Sequence, residues 1–279
     1  MEIAVAATDS GRIAMGEAVL HPLPRRAEMA REQLRAVGLS LRREGAAAAG
    51  VMALLSVAVV WDQARSVSEF VVEPGIGIPA AVVALLMPLA VWKGEGPGRR
   101  GYHHSMPVDR GVHAVTRGLA GLVWMLAAMG AYYAWLGGVT LAVGGWVRPD
   151  AAYRWAAPVA GAVVLYLVGT ALALRAAHPW RWLGGGAVGY LFLKLMSEPD
   201  RDFAPFRMVD GVLRGRYGLF TVLEGRTPMQ FRGVSTWGGH EFTYTVRVAD
   251  GGVWLTSVWL WLGLALALFV WAAYRQPER

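Results

Sequence analysis

The chain predicts an all-α polytopic membrane protein: six transmembrane helices, an N-terminal interfacial amphipathic helix, and a small extracytoplasmic α/β segment between helices 5 and 6. Three observations predict it. Of 279 residues, 55% are hydrophobic, and they fall in long uncharged blocks with a positive mean hydropathy, more apolar than a soluble domain of this size. The net charge of +7 comes from 27 basic against 20 acidic residues, and the basic residues occupy the gaps between blocks. Their distribution is one-sided. Arg42, Arg43, Lys93, Arg99, Arg100, Arg110, Arg117, Arg175, Arg181 and Arg275 lie in short segments at one side, against Arg65, Arg148 and Arg154 at the other, which orients the first set toward the cytosol.

Two function classes are disfavoured at once. Basic residues spread through the gaps, rather than gathered on one folded face with stacking aromatics, argue against a nucleic-acid partner. No cysteine is present, so the chain has no disulfide framework, thiolate metal site or cysteine nucleophile.

In chain order, residues 1–44 read as a cytosolic N-terminus and interfacial helix. Positions 1–26 are mixed and polar, without an apolar run long enough for a cleavable signal. Over 27–44, Met29, Leu34, Val37 and Leu41 share one side while Arg31, Arg35, Arg42 and Arg43 stay among polar neighbours, the pattern of a helix lying in the membrane interface. Residues 45–196 hold transmembrane helices 1–5, expected at 45–61, 76–92, 118–141, 156–174 and 182–196. Internal Pro79 and Pro88 in the second are tolerated because neighbouring groups satisfy the freed carbonyls. Residues 197–252 form the extracytoplasmic segment, with short helices in its first half and strand candidates at 217–223 and 241–248, the latter alternating in polarity. Residues 253–279 supply helix 6 and a basic tail, so both termini are expected to be cytoplasmic in a multi-pass cell (plasma or inner) membrane protein.

The stretch 93–117 between helices 2 and 3 is the most concentrated basic connection. Pro107 suits a first helical turn, Asp109 favours the positive end of a helix dipole, and Val108, Val112 and Val115 share a face, predicting a short amphipathic helix on the cytosolic surface. With this topology the chain resembles the permease subunit of ABC-2 type transporters. Met106-Pro107-Val108-Asp109-Arg110 shares the Pro and Arg of the family's Leu-Pro-x-Ser-Arg element and differs at Met106 and Asp109. The resemblance implies that His103, His104, Met106, Pro107, Val108, Asp109, Arg110 and His113 form a coupling helix docked on a separate ABC ATP-binding subunit. It implies a second copy or homologue of the permease as a further partner, and an outer segment, 208–252, that gates the exit. The chain has no glycine-rich phosphate loop. No cofactor is therefore expected on it, and ATP and Mg2+ belong to the partner; it is not an enzyme by itself.

The remaining positions are weaker. His103, His104 and His113 lack the companion ligands of a metal site. Lys194, near the edge of helix 5, either marks a substrate path or snorkels to the interface; Asp210 and Trp237 are possible substrate or gate residues in the outer segment. Gly184, Gly185, Gly186 and Gly189 allow close helix packing, within the chain or across a dimer. The alternative to a transporter is a membrane scaffold or assembly factor that captures a partner through 197–252. An integral membrane enzyme acting on lipid is a third reading, without a residue constellation to support it.

Overall fold

A computed structural model describes residues 26–65, 71–93, 109–197, 203–234 and 241–275. Its elements are α1 (Arg26–Ser40), α2 (Arg42–Arg65), β1 (Val71–Val72), a 3-10 turn (Pro74–Gly77) running into α3 (Ile78–Val91), α4 (Arg110–Ala142), β2 (Trp146–Val147), α5 (Ala152–Arg175), α6 (Pro179–Ser197), α7 (Ala204–Arg214), α8 (Leu219–Glu224), β3 (Arg226–Val234), β4 (Glu241–Ala249) and α9 (Gly251–Tyr274). Among the described residues, four helices are long and apolar enough to cross a bilayer: α3 with its 3-10 turn, α4, α5 and α9.

The expectation of six such helices is therefore corrected to four. Helices do occupy the first and fifth expected positions, as α2 and α6, but neither belongs to this set. The apolar run inside α2 is bracketed by Arg42, Arg43 and Glu44 and by Asp62, Gln63 and Arg65, which leaves residues 45–61, at the lower end of the roughly 17–25 residues that a crossing uses. In α6, Arg181, Lys194 and four glycines dilute the hydropathy.

The four spans close around α5. Its most apolar window is 61% buried, against 22–33% for the other three, because Gly161, Ala162, Gly169, Ala171 and Ala173 let neighbouring backbones approach where the hydrophobic effect between helices is weak. Gly169 makes the closest approach: a Cβ there would collide with the Leu85 carbonyl oxygen of α3. Two apolar clusters result. One joins Val91, Ala114, Val164, Leu167, Leu174, Phe269 and Ala273, and the other joins Ala81, Ala84, Met125, Met129, Tyr166 and Leu223.

Contacts at the helix ends give the directions. Arg117 of α4 meets Val91 of α3, and Tyr132 Oη donates to the Ile76 carbonyl (3.0 Å), so α3 and α4 are antiparallel. Tyr153 packs on Trp254 (5.5 Å) and Arg175 on Trp271 (4.3 Å), so α5 and α9 run parallel. The bundle thus has a basic end, where α3, α5 and α9 finish and α4 begins, and a far end carrying the β1–β2 pair and the β3–β4 hairpin.

Several other boundaries differ from the expectation. Over 109–117 there is no separate surface helix: Asp109 caps α4, whose 33 residues begin eight positions before the expected span and take in the charged residues up to Arg117. Of the strand candidates, 241–248 is β4, in antiparallel register with β3 (Phe231 opposite Tyr244). The other, 217–223, is a turn followed by helix α8, ended by Gly225 at φ 65°. This left-handed residue closes α8 by returning its N–H to the Thr221 carbonyl (3.0 Å) and releases the chain into β3, a conformation that suits glycine because it lacks a Cβ.

Candidate functional site

At the basic end, sequence-distant charged and aromatic side chains hold five helices together. The Asp109 carboxylate accepts from Gly111 N–H (2.8 Å) and Val112 N–H (3.3 Å), satisfying two amides that no helical carbonyl can reach. Arg110 is exposed on that first turn and His113 is half-buried. One turn on, Arg117 donates from Nη2 to the Val91 carbonyl (2.8 Å) and lies over the Trp92 ring (5.4 Å). It thereby caps the last turn of α3 with a cation, the favourable charge at a helix C-terminus. Arg175 stacks on Trp271 and donates to the Arg275 carbonyl. Asp109→Ala is expected to cost about 1 kcal/mol, the typical loss of an N-cap, read as a lowered thermal midpoint of the detergent-purified chain.

α1 is bound to this end. The predicted apolar side is real: Val37 is fully buried and Leu34 and Leu41 pack against the same cluster. What it meets is protein, because Trp124 Nε1 of α4 donates to the Leu34 carbonyl (2.9 Å) and its ring fills the space above Gly38. Lys93, at the end of α3, pairs with Glu44 of α2 at 3.8 Å. Arg31, Arg35, Arg42 and Arg43 point outward and are exposed.

At the far end, α8 is wedged among the spans. Its Thr221, Val222 and Leu223 are buried, Leu223 lies against Gly161, and Trp254 Nε1 donates to the Val222 carbonyl (3.1 Å). Trp261 Nε1 donates to the Tyr217 carbonyl (2.9 Å). Trp261 stands ten residues into α9, about 15 Å along its axis, so the turn before α8 lies alongside α9 at that depth, with Arg216 and Tyr217 exposed. Two guanidiniums lie over the Phe220 ring, Arg214 (5.5 Å) and Arg247 (5.6 Å). Each is neutralised, Arg214 by Asp210 (3.4 Å) and Arg247 by Glu224, so α7, α8 and β4 are joined by one charged and aromatic stack. Beside it, Arg154 of α5 is 8% exposed and pairs with Asp150. An apolar cleft of about 290 Å³ lies between Tyr133, Leu136, Gly137, Val147, Trp155 and Val159.

Of the residues singled out from sequence, Asp109, Arg110 and His113 are brought together on the first turn of α4. His103, His104, Met106, Pro107, Val108 and Trp237 lie outside the described residues. Lys194 is exposed on α6, where its carbonyl accepts from the Ser197 hydroxyl (2.7 Å); Asp210 is occupied by Arg214. A Cβ added at any of the four α6 glycines would meet nothing within 4 Å, so they serve no packing contact among the described residues. Sequence reasoning placed Arg117 in a connection and missed its tie to α3, and it missed the contacts of Trp124, Phe220 and the Glu224–Arg247 pair; only the Asp150–Arg154 spacing of four residues was a visible signal. No group of three or more His, Cys, Asp or Glu side chains converges among the described residues.

The fold and these two ends define a polytopic, mainly α-helical membrane protein. No protein-family model, no curated protein and no solved structure matches the chain significantly.

Proposed function

We propose that the chain is the permease subunit of an ATP-driven transporter of the ABC-2 type, an exporter. In this reading it works with a second copy or homologue and with a separate ATP-binding subunit that carries ATP and Mg2+. The observation that carries the reading is the mechanical continuity of the basic end. The connection 93–117 opens directly into α4 through the Asp109 cap. From there Arg117 is tied to α3, Trp124 to α1, and Gly111 packs against Tyr274 of α9. A force applied to Arg110 and His113 reaches three helices without passing through a loop, which is what a motor-driven rearrangement requires. At the opposite end the buried α8 occupies the position an exit gate would need.

Six crossings belong to this proposal. α2 starts beside Lys93 at the basic end, whereas β1 pairs with β2 at the far end; α5 finishes at the basic end, whereas α9 starts at the far end. In this reading the chain crosses the thickness twice more, through α2 and α6, about 36 and 28 Å long at 1.5 Å per residue. The basic end then faces the cytosol of a cell membrane, with both termini on that side.

The test is copurification of the chain with its ATP-binding partner. Arg110→Glu puts a like charge against an acidic docking site and is expected to lower permease-coupled ATPase activity on the order of tenfold, since reversing an interfacial charge costs more than removing it. Unchanged activity and unchanged partner recovery would overturn the proposal. One observation favours a scaffold as second reading: Phe231 and Tyr244 form an exposed stacked pair (41% and 45% exposed, 5.9 Å) on a two-stranded hairpin, a unit that is marginal alone in water. Phe231→Ser/Tyr244→Ser would then abolish partner capture and leave ATPase activity unaltered.

A further inference from the structure

We propose that Arg31, Arg35, Arg42 and Arg43 form a binding strip for anionic phospholipid headgroups in the leaflet at the basic end. Such a strip needs only that the apolar spans lie in a bilayer, and it stands whether or not the chain is a transporter.

The helix is carried across Leu41 by bonds from Leu41 N–H to the Val37 carbonyl (3.0 Å) and from Gly45 N–H to the Leu41 carbonyl (2.7 Å). At 100° per residue, positions 31, 35 and 42 then fall within about 40° of one another along roughly 16 Å of axis. Arg43 follows Arg42 in sequence and lies about 80–120° further round the helix. An adjoining side of α1, about 110° round the helix, is engaged through Leu34, Val37, Leu41 and the Trp124 bond. The helix can therefore neither roll the arginines inward nor leave the bundle cheaply.

The strip also lacks protein partners among the described residues, a state that it shares with the scattered Arg181, Arg226 and Arg232. Arg117, Arg148, Arg154, Arg175, Arg214, Arg216 and Arg247 each reach a carbonyl, a carboxylate or an aromatic ring. The four arginines of the strip form no ion pair among the described residues. Glu28 and Glu32 flank it on α1 and Glu44, which pairs with Lys93, follows Arg43, so four guanidiniums against three carboxylates leave it cationic.

Its level selects the ligand. Val37 packs in one cluster with Val91 and Trp92, the last turn of the span α3, and Arg117 stacks on that Trp92; this aromatic and basic layer marks the membrane boundary. Beside the strip, Leu39 is 66% exposed, an apolar side chain suited to acyl chains rather than to water. Arginines held at the phosphate level with an apolar neighbour have the chemistry of an anionic lipid site, because the guanidinium fork matches a phosphate bidentately and binding at such a surface strengthens with each basic residue.

The experiment is native mass spectrometry of the full chain in nonionic detergent, titrated with phosphatidylglycerol or phosphatidylcholine. Wild type is expected to retain phosphatidylglycerol in preference to phosphatidylcholine by about tenfold or more, to lose that preference in high salt, and to be unaffected by millimolar inorganic phosphate, which separates a headgroup in a lipid from a free anion. The variant R31Q/R35Q/R42Q/R43Q is expected to bind the two lipids equally, and R31K/R35K/R42K/R43K to keep most of the preference. Should the glutamine variant fail to fold, the lysine variant and the salt titration of wild type carry the same decision. Absence of preference in wild type, the same preference in the glutamine variant, or displacement by inorganic phosphate overturns the proposal. Loss of a copurifying protein from the glutamine variant, with no lipid preference in wild type, assigns the strip to an acidic protein instead and also overturns it.

Discussion

Gly169→Leu is expected to uncouple α3 from α5 and to destabilise the bundle more than any surface substitution. A side chain at this position runs into the Leu85 carbonyl oxygen and crowds Pro88 Cγ, 3.2 Å from the added Cβ. The obstacle is backbone, which cannot rotate away, so the helices must separate. Overpacking a close-packed interior costs about 1–3 kcal/mol and occasionally more, and here the pair is the central contact of the fold. The measurement is the thermal midpoint and monodispersity of the full chain in detergent. Gly184→Leu on α6, where a Cβ meets nothing within 4 Å, is the matched control and is expected to leave both unchanged. A midpoint for Gly169→Leu equal to that of the control would show that α3 and α5 are not in contact as described.

Asp150→Ala is expected to be at least as damaging. Arg154 keeps only 9% of its side chain exposed and its Nε has no hydrogen-bond partner, so Asp150 is what compensates the buried guanidinium. Removing one partner of a buried pair leaves an uncompensated charge, at a cost of about 3–5 kcal/mol. The double variant Asp150→Ala/Arg154→Leu removes both charges and is expected to recover most of the lost midpoint. If the double variant is no better than the single, the loss comes from the Asp150 backbone turn rather than from the stranded charge. Gly225 packs directly on Arg154, so the same substitution also loosens the far end, where α8 enters the bundle.

The legible part of the fold is whatever local periodicity carries. The uncharged run 253–274 reads as a span and forms α9; the alternation over 241–248 reads as a strand and forms β4; the apolar stripe of Leu34, Val37 and Leu41 reads as one side of a helix and is buried. Segment 217–223 defeats the same reasoning. Its aromatic and β-branched residues suit a strand, and tertiary packing of Thr221, Val222 and Leu223 against α5 and α9 overrides that preference. Arg117 reads as a loop charge because a cation beside an apolar run usually ends it. Here the Val91 carbonyl and the Trp92 ring, 26 and 25 positions earlier in the chain, accommodate it inside the helix.

Composition and hydrophobic blocks by themselves determined that this chain is a membrane protein with a basic side, since transfer of apolar residues and exclusion of charge depend on residue type and run length alone. The tertiary structure alone decided which arginines are held and which are left outward. It likewise decided that α5 lies at the centre and that α8 enters between the spans. These outcomes rest on contacts between residues far apart in the chain, such as Gly169 with Leu85 and Glu224 with Arg247, and no local pattern encodes the partner across such a distance.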